Sequence, residues 1–191
     1  MSEDNLIESL KRGDPGALES LFSVYKDKVY NTALSYLQNE QDAEELTQDV
    51  FIEIFNSASK FKGDSALSTW IYRITINKSL DAIKFRKRKK RFAVLTSIFK
   101  KDDGSADIEI PDFIHPGIET ELKERSAVLF KALDSLPENQ RSAFILSKLE
   151  NLSYKEISEV LKTTVPAVES LLSRAKQNLR KILADKIQDI Q

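Results

Sequence analysis

Apolar positions recur at three- and four-residue intervals along most of this chain. Between Asp14 and Leu37 they fall at 18, 21, 22, 25, 29, 33, 34 and 37, a helical spacing rather than the alternation of a strand. "SEDN" and "GDP" offer helix starts, and Asp14 is placed to cap a helix with Pro15 inside its first turn. A second helix is expected from about Asp42 to Ser59. "FKGDSA" breaks the pattern, and a third helix is expected from about Leu67 through Ile83 into a basic block. "KKDDGSADIEIPDFIHPG" (100–117) has weak periodicity, two glycines and two prolines, and reads as a linker.

Helical pattern resumes near Ile118. Helices are expected at 120–135, 138–149 and 154–161, followed by a last one in "TTVPAVESLLSRAKQNLRK" (163–181). "LPENQ" separates the first two, with Pro137 at a helix start. In "LSYKEISEVL", Ser153 and Glu156 have the spacing of a capping box. Thr164 is placed to cap the last helix, with Pro166 in the first turn, where a missing N–H costs little. The brief "LKTT" between the last two helices predicts a helix-turn-helix. Lys162 stands where a glycine often eases such a turn, at a cost of roughly 1 kcal/mol if its backbone is left-handed.

At 100° per residue, Val165, Val168, Leu172, Ala175, Leu179, Ile182 and Leu183 lie within about 100° of arc and form the core stripe of the last helix. The opposite face carries Pro166, Ser170, Ser173, Arg174, Gln177 and Lys181. Glu169 and Leu171 lie on its flanks. Small residues early in the helix permit close approach to a major groove, where arginine suits a guanine edge or phosphate and glutamine suits adenine. A solvated face in an ordinary helical domain is the alternative.

The fold class follows: all-α, with two small helical domains joined by an acidic flexible linker and a helix-turn-helix in the second. The expected boundaries are 1–92, 93–118 and 119–187. At 191 residues the chain has room for two small domains. No run of apolar residues is long enough to span a membrane, and "MSEDNLIESLKRGD" has no signal-peptide core, so a cytoplasmic location is expected. There is no cysteine and one histidine, His115, which removes thiol chemistry, disulfides and cysteine-ligated zinc from consideration. No triad, phosphate loop or metal cluster suggests chemistry by the chain itself. Neither catalysis nor a cofactor is expected.

The net charge of −1 hides a segregated pattern. Residues 1–60 carry 5 basic and 12 acidic side chains, whereas 61–101 carry 12 basic and 2 acidic. Residues 102–121 hold 7 acids and no Lys or Arg. Such segregation suggests different partners at different places. "KFRKRKKR" (84–91) packs seven cations into eight residues, which suits phosphate contact. Upstream, Trp70, Arg73, Asn77 and Lys84 fall within about 60° on the helical wheel. An aromatic beside cations and an amide can hold single-stranded DNA by stacking and backbone contact, although a core role for Trp70 stays open. The polar loop "FKGDSALS" before it is of a kind that can pocket a flipped base. In "DAEELTQDVFIEIF", Asp42, Glu45, Asp49 and Glu53 form an acidic stripe beside a wide apolar surface. The stripe suggests a protein partner, with a solvated stripe on a buried helix as the alternative.

Taken in order and with their spacing, "DAEELTQDVFIEIF", "FKGDSALSTWIYRITINKSLD", the basic block, the acidic linker and "LPENQRSAFILSKLENLSYKEISEVLKTTVPAVESLLSRAK" resemble the extracytoplasmic-function group of bacterial RNA polymerase sigma factors, of the sigma-70 family. The resemblance covers nearly the whole chain. It implies that the first domain recognises and melts the promoter −10 element and that the second reads the −35 element. By position, Asp42, Glu45, Gln48 and Asp49 would dock on core RNA polymerase. Lys62, Asp64, Ser65, Trp70, Arg73, Asn77, Lys84, Arg86, Lys87 and Arg88 would meet −10 DNA. Pro166, Ser170, Ser173, Arg174, Gln177 and Lys181 would meet duplex −35 DNA. The linker would run toward the RNA exit path. Such proteins are commonly held inactive by an anti-sigma partner, often membrane-bound.

The chain departs from the pattern at Lys162, often glycine. It departs again at Pro166, often a small residue, and at Glu169 and Leu171, often basic. Leu67–Ser68 also lacks a frequent basic residue. Most of these departures bear on −35 preference. A duplex-binding regulator independent of polymerase and a helical adaptor are the competing readings.

Overall fold

The computed structural model describes residues 3–99 and 128–188, and the linker expected at 93–118 lies mostly outside the described residues. Among the described residues every regular element is helical: α1 (Glu3–Lys11), α2 (Pro15–Leu37), α3 (Glu40–Ser57), a short 3₁₀ turn (Ala58–Lys60) and α4 (Leu67–Phe99). Then come α5 (helical at 128–134), α6 (Glu138–Lys148), α7 (Tyr154–Val160) and α8 (Val165–Gln188). None of these helices is long and apolar enough to cross a membrane.

Local chemistry sets the ends. The Asp14 carboxylate accepts the Gly16 N–H at 2.9 Å and Pro15 occupies the first turn of α2. Gln38 ends α2 in the left-handed region, its N–H donating to Leu34 O. Asn39 then caps α3 by accepting the Asp42 N–H, so α3 starts at Glu40, ahead of the expected Asp42. The third expected helix, α4, continues through the basic block to Phe99 and is about 50 Å long at 1.5 Å per residue.

α2, α3 and α4 pack together through Leu21, Val29, Ala33 and Leu34, then Ala43, Leu46, Val50 and Ile54, then Leu67 and Ile71, all buried. Here the period of 3.6 explains only the first part of α2. Thr32 to Leu37 are buried without a break, because the last turns of α2 are covered by the second half of the chain as well as by α3 and α4. α6, α7 and α8 enclose Ala143, Ile145, Leu146, Ile157, Val160, Val168 and Leu172. That cluster continues into Tyr36, Tyr72 and Ile76 of α2 and α4, so the two halves share apolar contact across a seam.

Candidate nucleic-acid interface

The helix-turn-helix is built as its caps require. Ser153 Oγ accepts the Glu156 N–H while the Glu156 carboxylate accepts the Ser153 N–H at 2.8 Å, so two orphan donors of α7 are satisfied reciprocally. The Ser153 hydroxyl also donates to the Glu156 carboxylate at 2.6 Å, and this bond, with the Ser153 N–H, holds the exposed Glu156 carboxyl below its ordinary range. α7 ends with Lys162 at φ 51°, in the left-handed region. Thr163 N–H returns to Ser158 O and Lys162 N–H to Glu159 O, the pairing of a Schellman motif with lysine in the glycine position. Thr164 Oγ1 then caps α8 through the Ala167 N–H.

On α8, Val168, Leu172, Ala175 and Leu179 are buried, and Ile182 and Leu183 are half-buried. Val165 is the exception in the expected stripe: at the first position of the helix it is 37% exposed. Pro166, Ser170, Ser173, Arg174, Gln177 and Lys181 all face solvent. Glu169 is exposed and Leu171 half-buried on the flanks. Behind this face, Asn178 Nδ2 donates to Gln140 Oε1 at 2.8 Å and ties α8 to α6. The result is a rigid helix that presents two hydroxyls, a guanidinium and an amide.

In the first half, Glu45, Gln48 and Asp49 are exposed on α3. Asp42 differs, being half-buried and ion-paired with Arg86 of α4. Arg86 also donates to Leu37 O at 3.3 Å. Beside the acidic stripe, Phe22 remains 41% exposed, meets Phe51 edge-on at 4.8 Å and lines a shallow groove with Tyr30, Glu44 and Gln48.

The residues assigned to −10 DNA do not form one surface. Lys62 and Asp64 are exposed and Ser65 half-buried in the loop before α4. Lys84, Arg86, Lys87 and Arg88 are exposed along α4. Trp70, Arg73 and Asn77 lie at the seam, where they line a cavity of about 410 Å³ with Asn139, Ser142, Val160, Leu161 and Lys162 of the second half. Trp70 is half-buried against Phe61, with ring centroids 4.9 Å apart, so it contributes to packing and also edges the cavity. The Arg73 guanidinium donates from Nη2 and Nε to the main-chain carbonyl of Glu159, at 2.6 and 3.2 Å.

Sequence reasoning missed the groups that make the seam. Tyr36 hydroxyl donates to Ser142 Oγ at 2.6 Å, and burial pushes that phenol well above its ordinary range. Tyr72 hydroxyl donates to Glu150 at 3.0 Å, and burial raises the Glu150 carboxyl. Gln38 donates to Phe130 O at 3.0 Å, and Lys84 pairs with Glu138 at 3.3 Å. Arg141 is 5% exposed. It donates to Tyr36 O at 2.6 Å and Ser35 O at 3.4 Å, pairs with Asp134 at 2.7 Å and stacks over the Tyr36 ring. One signal was available: Arg141 sits one turn before Ile145 on the apolar face of its helix, and an arginine there needs buried acceptors.

Family models of sigma-70 region 2 and sigma-70 region 4 match residues 21–90 and 126–179. The RNA polymerase sigma-H factor of Pseudomonas aeruginosa is 30% identical over 185 residues, 95% of this chain and 93% of its own. The ECF RNA polymerase sigma factor SigW of Bacillus subtilis is 29% identical, covering 94% and 95%. The ECF RNA polymerase sigma-E factor of Escherichia coli K12 is also 29% identical, covering 93% and 92%. Among solved structures, CnrH in complex with the cytosolic domain of CnrY matches with a TM-score of 0.66 at 22% identity, over 94% of this chain and 96% of that one. The sigma factor RpoE bound to the anti-sigma factor NepR from Bartonella quintana matches with a TM-score of 0.62 at 23% identity, over 87% and 96%. At that identity the two structures establish a shared fold.

Proposed function

Because this chain belongs to the sigma-70 family of RNA polymerase sigma factors, in its extracytoplasmic-function group, we propose how its surfaces divide the work of promoter-specific initiation. The chain binds core RNA polymerase and promoter DNA, and an anti-sigma factor is its expected inhibitor. The observation that carries the assignment of surfaces is α8. Its solvent face presents Ser170, Ser173, Arg174 and Gln177 while its opposite stripe is locked into the core.

In this reading residues 119–187 form the −35 module. Arg174 and Gln177 face base edges or phosphate, Ser170 and Ser173 allow close approach, and Pro166 and Lys181 bound the contact. Residues 1–92 form the −10 module, joined to it by 93–118. Glu45, Gln48 and Asp49 offer an acidic docking face for polymerase, with Asp42 at its edge. The loop residues Lys62, Asp64 and Ser65 with Trp70, Arg73 and Asn77 receive unstacked non-template bases. Lys84, Arg86, Lys87 and Arg88 track phosphates. The chain supplies specificity and strand capture, while polymerase supplies the chemistry. Two modules anchored together on polymerase raise each other's local concentration at the promoter, so neither needs tight binding alone. That work takes place in the cytoplasm, where polymerase and DNA are.

The test is reconstitution with bacterial core polymerase on a promoter library. Specific, −35-dependent transcripts are expected. Absence of a promoter-dependent transcript with every competent core overturns the reading.

A further inference from the structure

The loop before α4 is held at both ends, and α1 reaches both of them. At its entrance Phe61 is buried, donates its N–H to Ala58 O at 3.1 Å and packs on Trp70. At its exit the buried Leu67 begins α4. Between them Gly63 turns the chain at φ 79°, and Lys62 and Asp64 face solvent. α1 packs against the 3₁₀ turn Ala58–Lys60 just before the entrance. Its first residue, Glu3, reaches the exit. The Glu3 carboxylate accepts the Leu67 N–H at 3.2 Å, across 64 positions of sequence.

That bond makes good a lack in the local sequence. Ala66 stands at the N-cap of α4, where its carbonyl accepts the Trp70 N–H at 3.2 Å. Alanine has no side-chain oxygen for the free N–H groups of the first turn and is among the poorest caps. α2, α3, α7 and α8 have Asp14, Asn39, Ser153 and Thr164 at this position, each bonded through its own side chain to the first turn. α4 instead takes its cap from α1. A carboxylate there also meets the positive end of the helix dipole.

The helix that carries Glu3 is itself anchored. Leu10 is buried in the core of the first half, with Leu6 and Ile7 packed against that core. Asp64 and Ser65 directly precede Ala66, so the point at which α4 begins fixes where their side chains stand. A loop fixed in advance loses little freedom when it takes up a ligand, and it discriminates better for that reason.

We propose that Glu3 is a positioning residue for −10 recognition: by capping α4 from outside the loop, it sets the conformation in which Lys62, Asp64 and Ser65 meet the unstacked strand. The proposal rests on the assignment of those three residues to −10 DNA, whereas the cap itself is read out without DNA.

Trp70 is the chain's one tryptophan and closes the first turn of α4, so its fluorescence reports on that end of the helix. In the free full-length chain, Glu3→Ala should shift Trp70 emission and raise its quenching by acrylamide. Glu3→Gln keeps an oxygen acceptor and should stay near wild type. Glu3→Ala combined with Ala66→Asp supplies a local cap and should restore the wild-type signal. With core polymerase, Glu3→Ala should lower discrimination between −10 sequences about fivefold, as the loss of a cap implies, and leave −35 preference unchanged. The double variant should regain that discrimination. Trp70 fluorescence unchanged in Glu3→Ala overturns the cap. A fluorescence shift with −10 discrimination intact, while Asp64→Ala alters that discrimination, overturns the positioning role and leaves the −10 assignment standing. If Asp64→Ala has no effect either, the −10 assignment falls and the proposal with it. Equal loss of −10 and −35 preference marks a general loss of structure and also overturns the positioning role.

Discussion

Asp42 and Arg86 form an ion pair that joins the first turn of α3 to the basic stretch of α4. It links a residue assigned to polymerase docking with one assigned to DNA, and it separates Asp42 from the exposed acids beyond it. Asp49→Arg should therefore weaken core binding about tenfold with the melting temperature unchanged, since Asp49 is exposed on α3. Asp42→Arg should weaken core binding and also destabilise the chain, because it sets two guanidiniums against each other. Core affinity measured beside thermal melts separates the two, and equal core affinity for Asp49→Arg and wild type counts against the docking face.

Arg174 is exposed on α8, on the side away from its core stripe. Arg174→Ala should lower initiation at −35-dependent promoters by roughly 1–3 kcal/mol of discrimination, about 5- to 150-fold. Promoters that initiate without a −35 element should be unaffected. Paired transcription assays with and without that element check this, and an equal loss on both points to a general phosphate contact.

Lys162 holds the left-handed position of the turn between α7 and α8. Lys162→Gly should stabilise the chain by about 0.5–1 kcal/mol by removing the cost of a Cβ at positive φ. The Schellman bonds stay in place, so −35 recognition should keep its sequence preference. Denaturant melts and promoter selection on the same variant test both halves of the statement.

Burial raises the Glu150 carboxyl above its ordinary 4.5, against the lowering hydrogen bond from Tyr72 and the nearby Lys28 charge. The folded chain thus binds this proton more tightly than the unfolded chain. By linkage, stability falls as pH rises from the ordinary value through the raised one. Burial raises the Asp134 carboxyl too, so it contributes with the same sign. Glu150→Gln keeps an acceptor for the Tyr72 hydroxyl without the buried charge. It should match wild type at pH about 4 and exceed it at about 7, as read by denaturant melts. A difference independent of pH would show that the carboxyl does not titrate in this window.

The all-helical character, the caps at Asp14, Ser153 and Thr164 and the left-handed Lys162 were legible because each depends on residues within one or two turns of sequence. So was the solvent face of α8, since a helix pinned by a continuous apolar stripe has only one face left to present. The acid stripe of α3 and the basic block of α4 were legible as charge patterns, although the pairing of Asp42 with Arg86 was not.

Sequence by itself determined the helices, their ends and the chemistry each face could offer. Tertiary structure alone decided which faces meet. The unbroken burial of Thr32 to Leu37 has no periodic signature, because two partners cover the end of α2 from different sides. Arg141 reads as a charged residue on a short helix until the carbonyls of Ser35 and Tyr36, more than a hundred positions earlier, are seen beneath it. Contacts at such separation depend on how the halves close on each other, and no local spacing encodes that.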